Sequence, residues 1–579
     1  MKKNLLLSVV MLFIAFCASA QRTATLFQKT YKITSTDTTT SLSVSSIARA
    51  NDGGYALLGT RSTAVSSDMC VIRTDSLGSI LWSVNLNTDT TEAAESIRST
   101  PDGGFVVSGW NDLPPNGLGE MLLAKIDASG NIKWSTQFGG AEIDEAKDVA
   151  VLNSGDIMVV GRSYEGFVAR GYSILTRTDG TPENGQVIRF GRVDCPLTSI
   201  ERTTDGGSIA AGYPGNLFQR PGFDAGLIKF NAQGNVVWGR RYAAAGQQLK
   251  PIARQTCDGG YIITGRYSIS QPNDILGCFA IKTNAVGDTL WCKYYVPNRN
   301  IQRGLDTLPY ASSLVEVNDG YIISGYMSPN GVFDTVRYKT AQGRDTFYLQ
   351  DRNHPFAMKI DQSGAFKWAK YYGDTVGISR FQSSVAAVDG GLTFGGETYS
   401  FASANRRGVG YMVHTDKDGN IGAGAGNCKV RNLTFSAFNF TITDSTNVVV
   451  VEGGDELRSN LRRESMVVAK TDICSAVGLK TDVAACLKID VADYRLPENA
   501  VKIYPNPVSS QLFVEIDKNT EGANAIAKLT VFDAMGRLIQ AQQTVNEAVS
   551  LDVSAFAKGI YMLKVERGGK YLVKKFIVE

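Results

Sequence analysis

Apolar residues along this chain come in short runs that alternate with polar positions and break at Gly, Asp and Asn. The breaks recur. Runs of one kind end on a basic residue two positions before an Asp or Asn: Arg73/Asp75, Lys125/Asp127, Arg177/Asp179, Lys229/Asn231, Lys282/Asn284, Lys359/Asp361, His414/Asp416 and Lys470/Asp472. The first five pairs are 52 to 53 residues apart, and a fixed period of that size belongs to a stacked or closed array of one small unit. Ahead of each pair, Asp-Gly-Gly or a variant opens an apolar run that closes on Gly, as in Asp52 to Gly59, Asp102 to Gly109, Ser154 to Gly161, Asp205 to Gly212, Asp258 to Gly265, Asn318 to Gly325 and Asp389 to Gly396. Behind it, Gly78, Gly130, Gly234, Gly287 and Gly364 are followed four residues later by Trp82, Trp134, Trp238, Trp291 and Trp368. All but one of the six tryptophans share this slot, which argues for one repeated packing position and not for five ligand contacts.

The unit translates into four antiparallel strands. Asp-Gly and Ser-Gly-Asn between apolar runs are hairpin turns, because Gly tolerates positive φ there. The Gly that closes strand two has no side chain, which suits a bulge or a close backbone approach. Such units in a row predict an all-β propeller. Eight blades are expected, with seven as the alternative. The last copy supplies strands near Leu433–Thr441, Val448–Val451 and Met466–Thr471 but no Trp-type strand, so an orphan N-terminal strand, Leu26–Ile33, is expected to complete it and lock the ring.

Two resemblances follow from these motifs. Asp127-Ala128-Ser129-Gly130-Asn131-Ile132-Lys133-Trp134 resembles the tryptophan-docking motif of pyrroloquinoline-quinone-type propellers. Those enzymes hold their quinone against adjacent cysteines, which this chain lacks, so the resemblance implies the docking geometry without the cofactor. At the C-terminus, Tyr504-Pro505-Asn506-Pro507, then Leu529 to Gly536-Arg537, Gly559-Ile560-Tyr561 and Lys574-Lys575-Phe576 follow in order. This stretch resembles the type A sorting domain of Bacteroidetes type IX secretion cargo. It implies a small Ig-like β-sandwich over 500–579, the secretion machinery as partner, and an outer-membrane-surface or extracellular destination. Tyr504, Pro505, Asn506, Pro507, Gly536, Gly559, Tyr561, Lys574 and Lys575 carry that motif.

The bulk numbers narrow the class. A formal charge of +3 over 579 residues points to neither a nucleic acid nor an acidic surface. Lys2 and Lys3, the apolar stretch from Leu5 to Cys17 and the small residues Ala18-Ser19-Ala20 read as a signal peptide over 1–20. No later run is long and apolar enough for a membrane span. The expected organisation is a propeller over 21–474, a linker over 475–499 and the tail. Cys278 and Cys292 flank a predicted hairpin and either face each other or are buried thiols.

Successive turns of a propeller alternate between its two faces. The Asp-Gly-Gly and Asp-x-x-Gly turns fall on one face and are uniform. The other loops vary in length, and variable loops on a rigid scaffold are the usual place for binding. The candidate ligand contacts there are Trp110, Tyr213, Phe218, Arg337, Tyr338, Arg344, Tyr348, Arg352, Tyr399 and Arg406, since aromatic rings and arginines on one rim suit a sugar or a protein surface. No catalytic set emerges. His414 occupies the repeat's basic slot, and His354 is a lone loop histidine. Asp416-Lys417-Asp418-Gly419-Asn420 resembles the start of a calcium loop, but it also sits where each unit has its third turn; no metal or other cofactor is expected. The function these features favour is binding, as adhesion or as glycan or protein capture. A polysaccharide hydrolase with acids on the variable face, and a surface scaffold, are the alternatives.

Overall fold

The computed structural model of the protein describes residues 23–34, 40–88, 90–113, 118–139, 143–165, 168–215, 223–269, 275–297, 309–327, 333–339, 345–351, 353–373, 378–400, 408–421, 430–433, 435–440, 442–445, 448–452, 455–457, 462–466, 468–479, 500–517, 527–533, 538–546, 548–567 and 570–579. Every regular element among them is a β-strand. The chain divides near Leu487 into two compact units.

Among the described residues the first unit is a ring of seven four-stranded antiparallel sheets. Blade 1 runs Ser41–Arg49, Tyr55–Ser62, Ser67–Thr74 and Ile80–Asn87, and blades 2 to 5 repeat it, starting at Glu92, Asp144, Leu197 and Gln247. Blade 6 (Pro309–Val317, Gly320–Met327, His354–Ile360, Phe366–Tyr372) carries an inserted hairpin, Phe333–Lys339 with Asp345–Asp351. Blade 7 takes three strands in sequence (Ser379–Ala386, Leu392–Thr398, Val409–Thr415) and its fourth from the N-terminus, Thr23–Ile33. The first strand of each blade packs against that of the next, and blade 7 closes on blade 1. There Leu42 N donates to Gly408 O at 2.9 Å and Arg49 Nη1 to Ala386 O at 3.1 Å.

The all-β propeller is as expected; the described blades number seven, the alternative count, and not eight. The stretch read as an eighth copy is a belt. Val430–Leu433, Phe435–Asn439, Ile442–Ser445, Val448–Glu452, Asp455–Leu457, Arg462–Ser465 and Val468–Leu479 add an antiparallel fifth strand to blades 6, 5, 4, 3, 2, 1 and 7 in that order. The N-terminal strand therefore completes blade 7 and lies between His414 and the belt: Phe27 opposes His414 on one side and Ser475 on the other. The physical reason is edge satisfaction. Each fourth strand would otherwise present a row of unpaired backbone groups. A segment too short per blade to build sheets of its own satisfies all seven by running past them.

The three sequence anchors meet at the junctions between blades. In five of the pairs the basic residue reaches back to the acid of its own first turn: Arg73 to Asp52 at 2.5 Å, Lys229 to Asp205 at 2.9 Å, Lys282 to Asp258 at 2.8 Å, Lys359 to Asp319 at 2.6 Å and His414 Nε2 to Asp389 at 3.0 Å. Blade 3 has Ser154 in the acid's place, and Arg177 turns outward to Glu183 instead. The acid of each pair builds the third turn: Asp127 Oδ1 accepts from Ser129 N at 3.0 Å and Asn131 N at 2.9 Å, and Asp75, Asn231, Asn284, Asp361 and Asp416 do the same. The carboxylate of the calcium-like loop, Asp416, is thus committed to its turn.

The Gly of that turn has positive φ and receives the next-door tryptophan. Trp82 Nε1 donates to Ala128 O, Trp134 to Thr178 O and Trp291 to Gln362 O, at 2.9 to 3.0 Å. Two residues on from the tryptophan a cation adds to the contact in three blades: Arg240 donates to Val286 O, Lys293 to Ser363 O and Lys370 to Asp418 O. Two further on, Tyr242, Tyr295 and Tyr372 donate to the carbonyls of Gly287, Gly364 and Gly419. The N-terminal strand repeats this ridge at the ring's closure: Lys29 donates to Leu77 O, and Tyr31 to Gly78 O at 2.8 Å.

The second unit is a sandwich of two sheets. One pairs Val501–Tyr504, Gln511–Ile516 and Ala548–Asp552; the other orders Leu538–Thr544, Ala527–Asp533, Gly559–Arg567 and Lys570–Val578. Leu512, Val514, Leu529, Val531, Leu563, Val565 and Phe576 fill its interior.

The docking slot is testable at two glycines. A Cβ on Gly180 (φ +86°) would stand 2.6 Å from Trp134, whereas one on Gly259 (φ +80°) would meet nothing within 4 Å. Gly259→Ala should cost only the left-handed penalty, roughly 1–2 kcal/mol. Gly180→Ala should cost clearly more in urea unfolding followed by tryptophan fluorescence. Equal losses would refute the docking role.

Candidate functional site

Alternate residues of the seven first strands are partly exposed, and these point into the central channel. Each of these strands carries a bulge, at Ser45, Glu95, Lys147, Thr198, Lys250-Pro251, Ser312 and Gln382. A bulge bends a strand and re-aims its side chains. It also explains the Gly that closes strand two: a Cβ at Gly59, Gly109, Gly161, Gly212, Gly265, Gly325 or Gly396 would stand 1.8 to 2.7 Å from a carbonyl oxygen of the bulged strand.

The next residue after that Gly lies on the variable-loop side, at the channel mouth. The seven occupants are Thr60, Trp110, Arg162, Tyr213, Arg266, Tyr326 and Glu397. Opposite them in register stand Ser43, Ala93, Glu145, Leu249, Tyr310 and Arg380 for all blades but the fourth. Arg266 Nη1 donates to Tyr310 Oη at 2.9 Å, Tyr310 stacks on Tyr326 at 4.9 Å, and Arg380 lies 5.1 Å over Tyr326 and 3.4 Å from Glu397. On the other side Lys147 bridges Glu95 at 2.5 Å and Glu145 at 2.8 Å, and Arg162 joins Glu145 at 2.6 Å while covering Tyr164 at 5.2 Å. Against the cost of burial, Lys147 and Arg162 hold the Glu145 carboxyl below its usual value. The mouth is thus a ring of cations, phenols and one indole, with carboxylates already paired.

Trp110 and Tyr213 of the sequence candidates stand in this ring. Tyr213 meets Phe223 edge-on at 5.5 Å. Tyr399 lies three residues beyond Gly396, its N–H donating to Ile378 O at 2.7 Å and its ring beside Gly408. Arg337, Tyr338 and Tyr348 belong to the inserted hairpin, where Val336 opposes Tyr348; Phe218, Arg344, Arg352 and Arg406 lie outside the described residues. Arg162, Arg266, Tyr310, Tyr326 and Lys250 were missed, although the position directly after each closing Gly marks three of them. His354 is buried and stacks on Tyr371 at 5.6 Å. Cys278 and Cys292 do not oppose each other and both are free thiols, while Cys257 is disulfide-bonded.

In the tail, Asn506 ties the motif loop to the last strand: its Nδ2 donates to Lys575 O at 3.1 Å and its Oδ1 accepts from Ile577 N at 3.0 Å. Pro505 and Pro507 follow cis peptide bonds. Tyr504 stacks on Phe513 at 5.7 Å with both rings exposed, and Tyr561 stacks on Phe576 at 5.6 Å. Gly559 has open space around its Cα, Lys574 is partly and Lys575 fully exposed, and Gly536 lies outside the described residues.

Residues 502–579 match the family model of the secretion system C-terminal sorting domain. The chain is cargo of type IX secretion, and its tail directs it to the cell surface or beyond. No curated protein matches the chain. Among solved structures it is similar to a protein of unknown function from Dyadobacter fermentans (9% identity over 68% of this chain and 99% of that one, TM-score 0.36). It is also similar to PorZ, a surface component of the type-IX secretion system of Porphyromonas gingivalis (10%, 96% and 100%, 0.13), and to a Bombyx mori GH32 beta-fructofuranosidase (10%, 71% and 92%, 0.23). At such scores these likenesses carry no argument. No helix among the described residues is long and apolar enough to cross a membrane.

The acids furthest from ordinary behaviour are enclosed in the walls. Burial, then Asp144, pushes the Glu120 carboxyl up to about 7, and burial does the same to Glu92. A carboxyl raised in the folded state favours the protein while protonated, so this stability is present below the unfolded value near 4.5 and is lost as pH rises through about 7. Melting temperature should therefore fall between pH 4.5 and 7, and Glu120→Gln should flatten part of that fall. A parallel profile for the variant would refute the assignment.

Proposed function

We propose that this chain is an exported surface protein that captures a ligand at the channel mouth, with a glycan as the best fit. One observation carries the reading. Seven blades share the same glycine at the end of strand two, yet place five different residue types after it, and aromatic faces and hydrogen-bonding cations predominate among them. Sugars are bound by such surfaces because C–H faces stack on rings while hydroxyls take directed hydrogen bonds. The N-terminal segment acts as a signal peptide in this reading, delivering the chain to the periplasm before the tail hands it to the secretion machinery.

Two experiments test it. The secreted protein should retain specific glycans on an array, and Trp110→Ala or Tyr326→Ala should weaken that binding by roughly three- to tenfold, the size expected for one lost stack. Binding by neither glycans nor surface proteins, or turnover of chromogenic glycosides that depends on a mouth carboxylate, would overturn the capture reading. Removing residues 500–579 should leave the propeller in the periplasm when cell fractions are blotted; unchanged surface display would contradict the role of the tail.

A further inference from the structure

Lys250 is the one residue other than glycine with positive φ among the described residues, at +49°. It precedes Pro251, whose ring further restricts the backbone before it. It also sits in its strand's bulge: the register passes from Leu249 opposite Arg266 to Ile252 opposite Thr264, leaving Lys250 and Pro251 unpaired on this strand and Gly265 on its partner. A non-glycine residue held in this region is strained, and such outliers gather at binding sites. The side chain so placed makes no ion pair and no hydrogen bond. It is exposed, yet Lys147, Glu95, Arg162 and Arg266, from blades 3, 2 and 5, act on its charge together. Lys250 lies on a channel-lining first strand, so its exposed ammonium stands at the channel.

The charges around it do not balance. Glu95 and Glu145 are engaged by Lys147 and Arg162. The charges that act most on Lys250 are the cations Lys147, Arg162 and Arg266 and the one carboxylate Glu95. Burial and the neighbouring Lys147 both lower the Lys250 pKa, as an unmet cation requires. A channel with low-dielectric walls and one sign of charge concentrates the opposite ion.

We propose that the channel mouth is an oxyanion site, in which the Lys250 ammonium, supported by Arg162 and Arg266, binds a carboxylate or sulfate group. The site deepens the capture reading by naming an acidic saccharide as its ligand class, and it rests on that reading only for the sugar. The same chemistry could be met by a free oxyanion, so the two sources are separated by the probes: sodium sulfate and phosphate on one side, glucuronate against glucose on the other. Calorimetry is done on the full secreted chain.

Wild type should bind sulfate and glucuronate and ignore glucose. Lys250→Gly relieves the positive φ while removing the charge, so it should melt at the same or a higher temperature and bind each anion about tenfold or more weakly, the loss expected for one charge-assisted bond. Lys417→Gln, which removes an exposed lysine paired with Asp418, should leave binding unchanged. If Lys250→Gly fails to fold, Lys250→Gln, which keeps a polar side chain without the charge, is read in its place. Sulfate binding without glucuronate binding would keep the oxyanion site and end the glycan reading. Glucuronate binding that survives loss of Lys250 would keep the glycan reading and end the oxyanion site. No binding of any anion overturns the proposal.

Discussion

Most blades meet the next where a ridge on the fourth strand lies across a glycine of the neighbour's third turn. In blades 4 to 6 the ridge is a tryptophan, a cation two residues on and a tyrosine two residues further, most complete in Trp291/Lys293/Tyr295; blades 1 and 2 dock the tryptophan without that cation and tyrosine, and blade 3 has Asn184 in its place. The turn must be tight, with its Gly at positive φ, for the carbonyls to face the ridge; the Asx cap holds it so. A Cβ at Gly364 or Gly419 would stand 2.8 and 2.7 Å from the docking tryptophan. The contact therefore couples two local features, a turn and a strand, that no single blade can satisfy alone. Repetition follows from this, because a blade with a ridge needs a neighbour with a turn, and the chain of needs ends only when the ring closes.

Closure is where the two ends of the propeller segment act. The N-terminal strand brings Phe27, Lys29 and Tyr31 to the turn of blade 1, the same spacing as in the other ridges, while its outer edge receives the last strand of the belt. The belt then pairs the outer edge of every blade. Short belt strands of three to five residues on six of the seven blades present little edge of their own, which is how exposed sheet edges are kept from templating further pairing.

Much of this was legible in the chain. The 52-residue period, the tryptophan slot, both turn types and the strand-two glycine all arise from local rules of turn and strand, and each appears in the structure where the sequence placed it. The belt was not legible as a belt. Its stretches, such as Val448–Glu452, look like blade strands because pairing and apolar character are local, whereas the partner is a strand some 260 residues away, such as Pro182–Phe190. The N-terminal ridge could have been found: Phe27-Gln28-Lys29-Thr30-Tyr31 has the spacing of Trp291-Cys292-Lys293-Tyr294-Tyr295. Of the candidate contacts, Trp110 and Tyr213 directly follow the Gly that closes strand two. Lys250 was out of reach, since a bulge and a positive φ leave no mark in composition.

The repeat also says which positions are free to serve a ligand. Seven copies of one unit within one chain form an internal comparison. Packing forces identity where it acts: the closing Gly is the same in all seven blades because a carbonyl oxygen occupies the place of its Cβ. One residue further the constraint ends, and Thr60, Trp110, Arg162, Tyr213, Arg266, Tyr326 and Glu397 share neither size, charge nor hydrogen-bonding character. Were that ring only another packing layer, the symmetry that fixes its neighbour would have fixed it too. Instead, the bulge that demands the glycine also turns the adjacent first-strand side chains into the channel. The same distortion that closes the scaffold therefore creates a lining whose chemistry the scaffold does not dictate, and in blade 5, where the bulge holds a lysine at positive φ, it delivers the ammonium of Lys250.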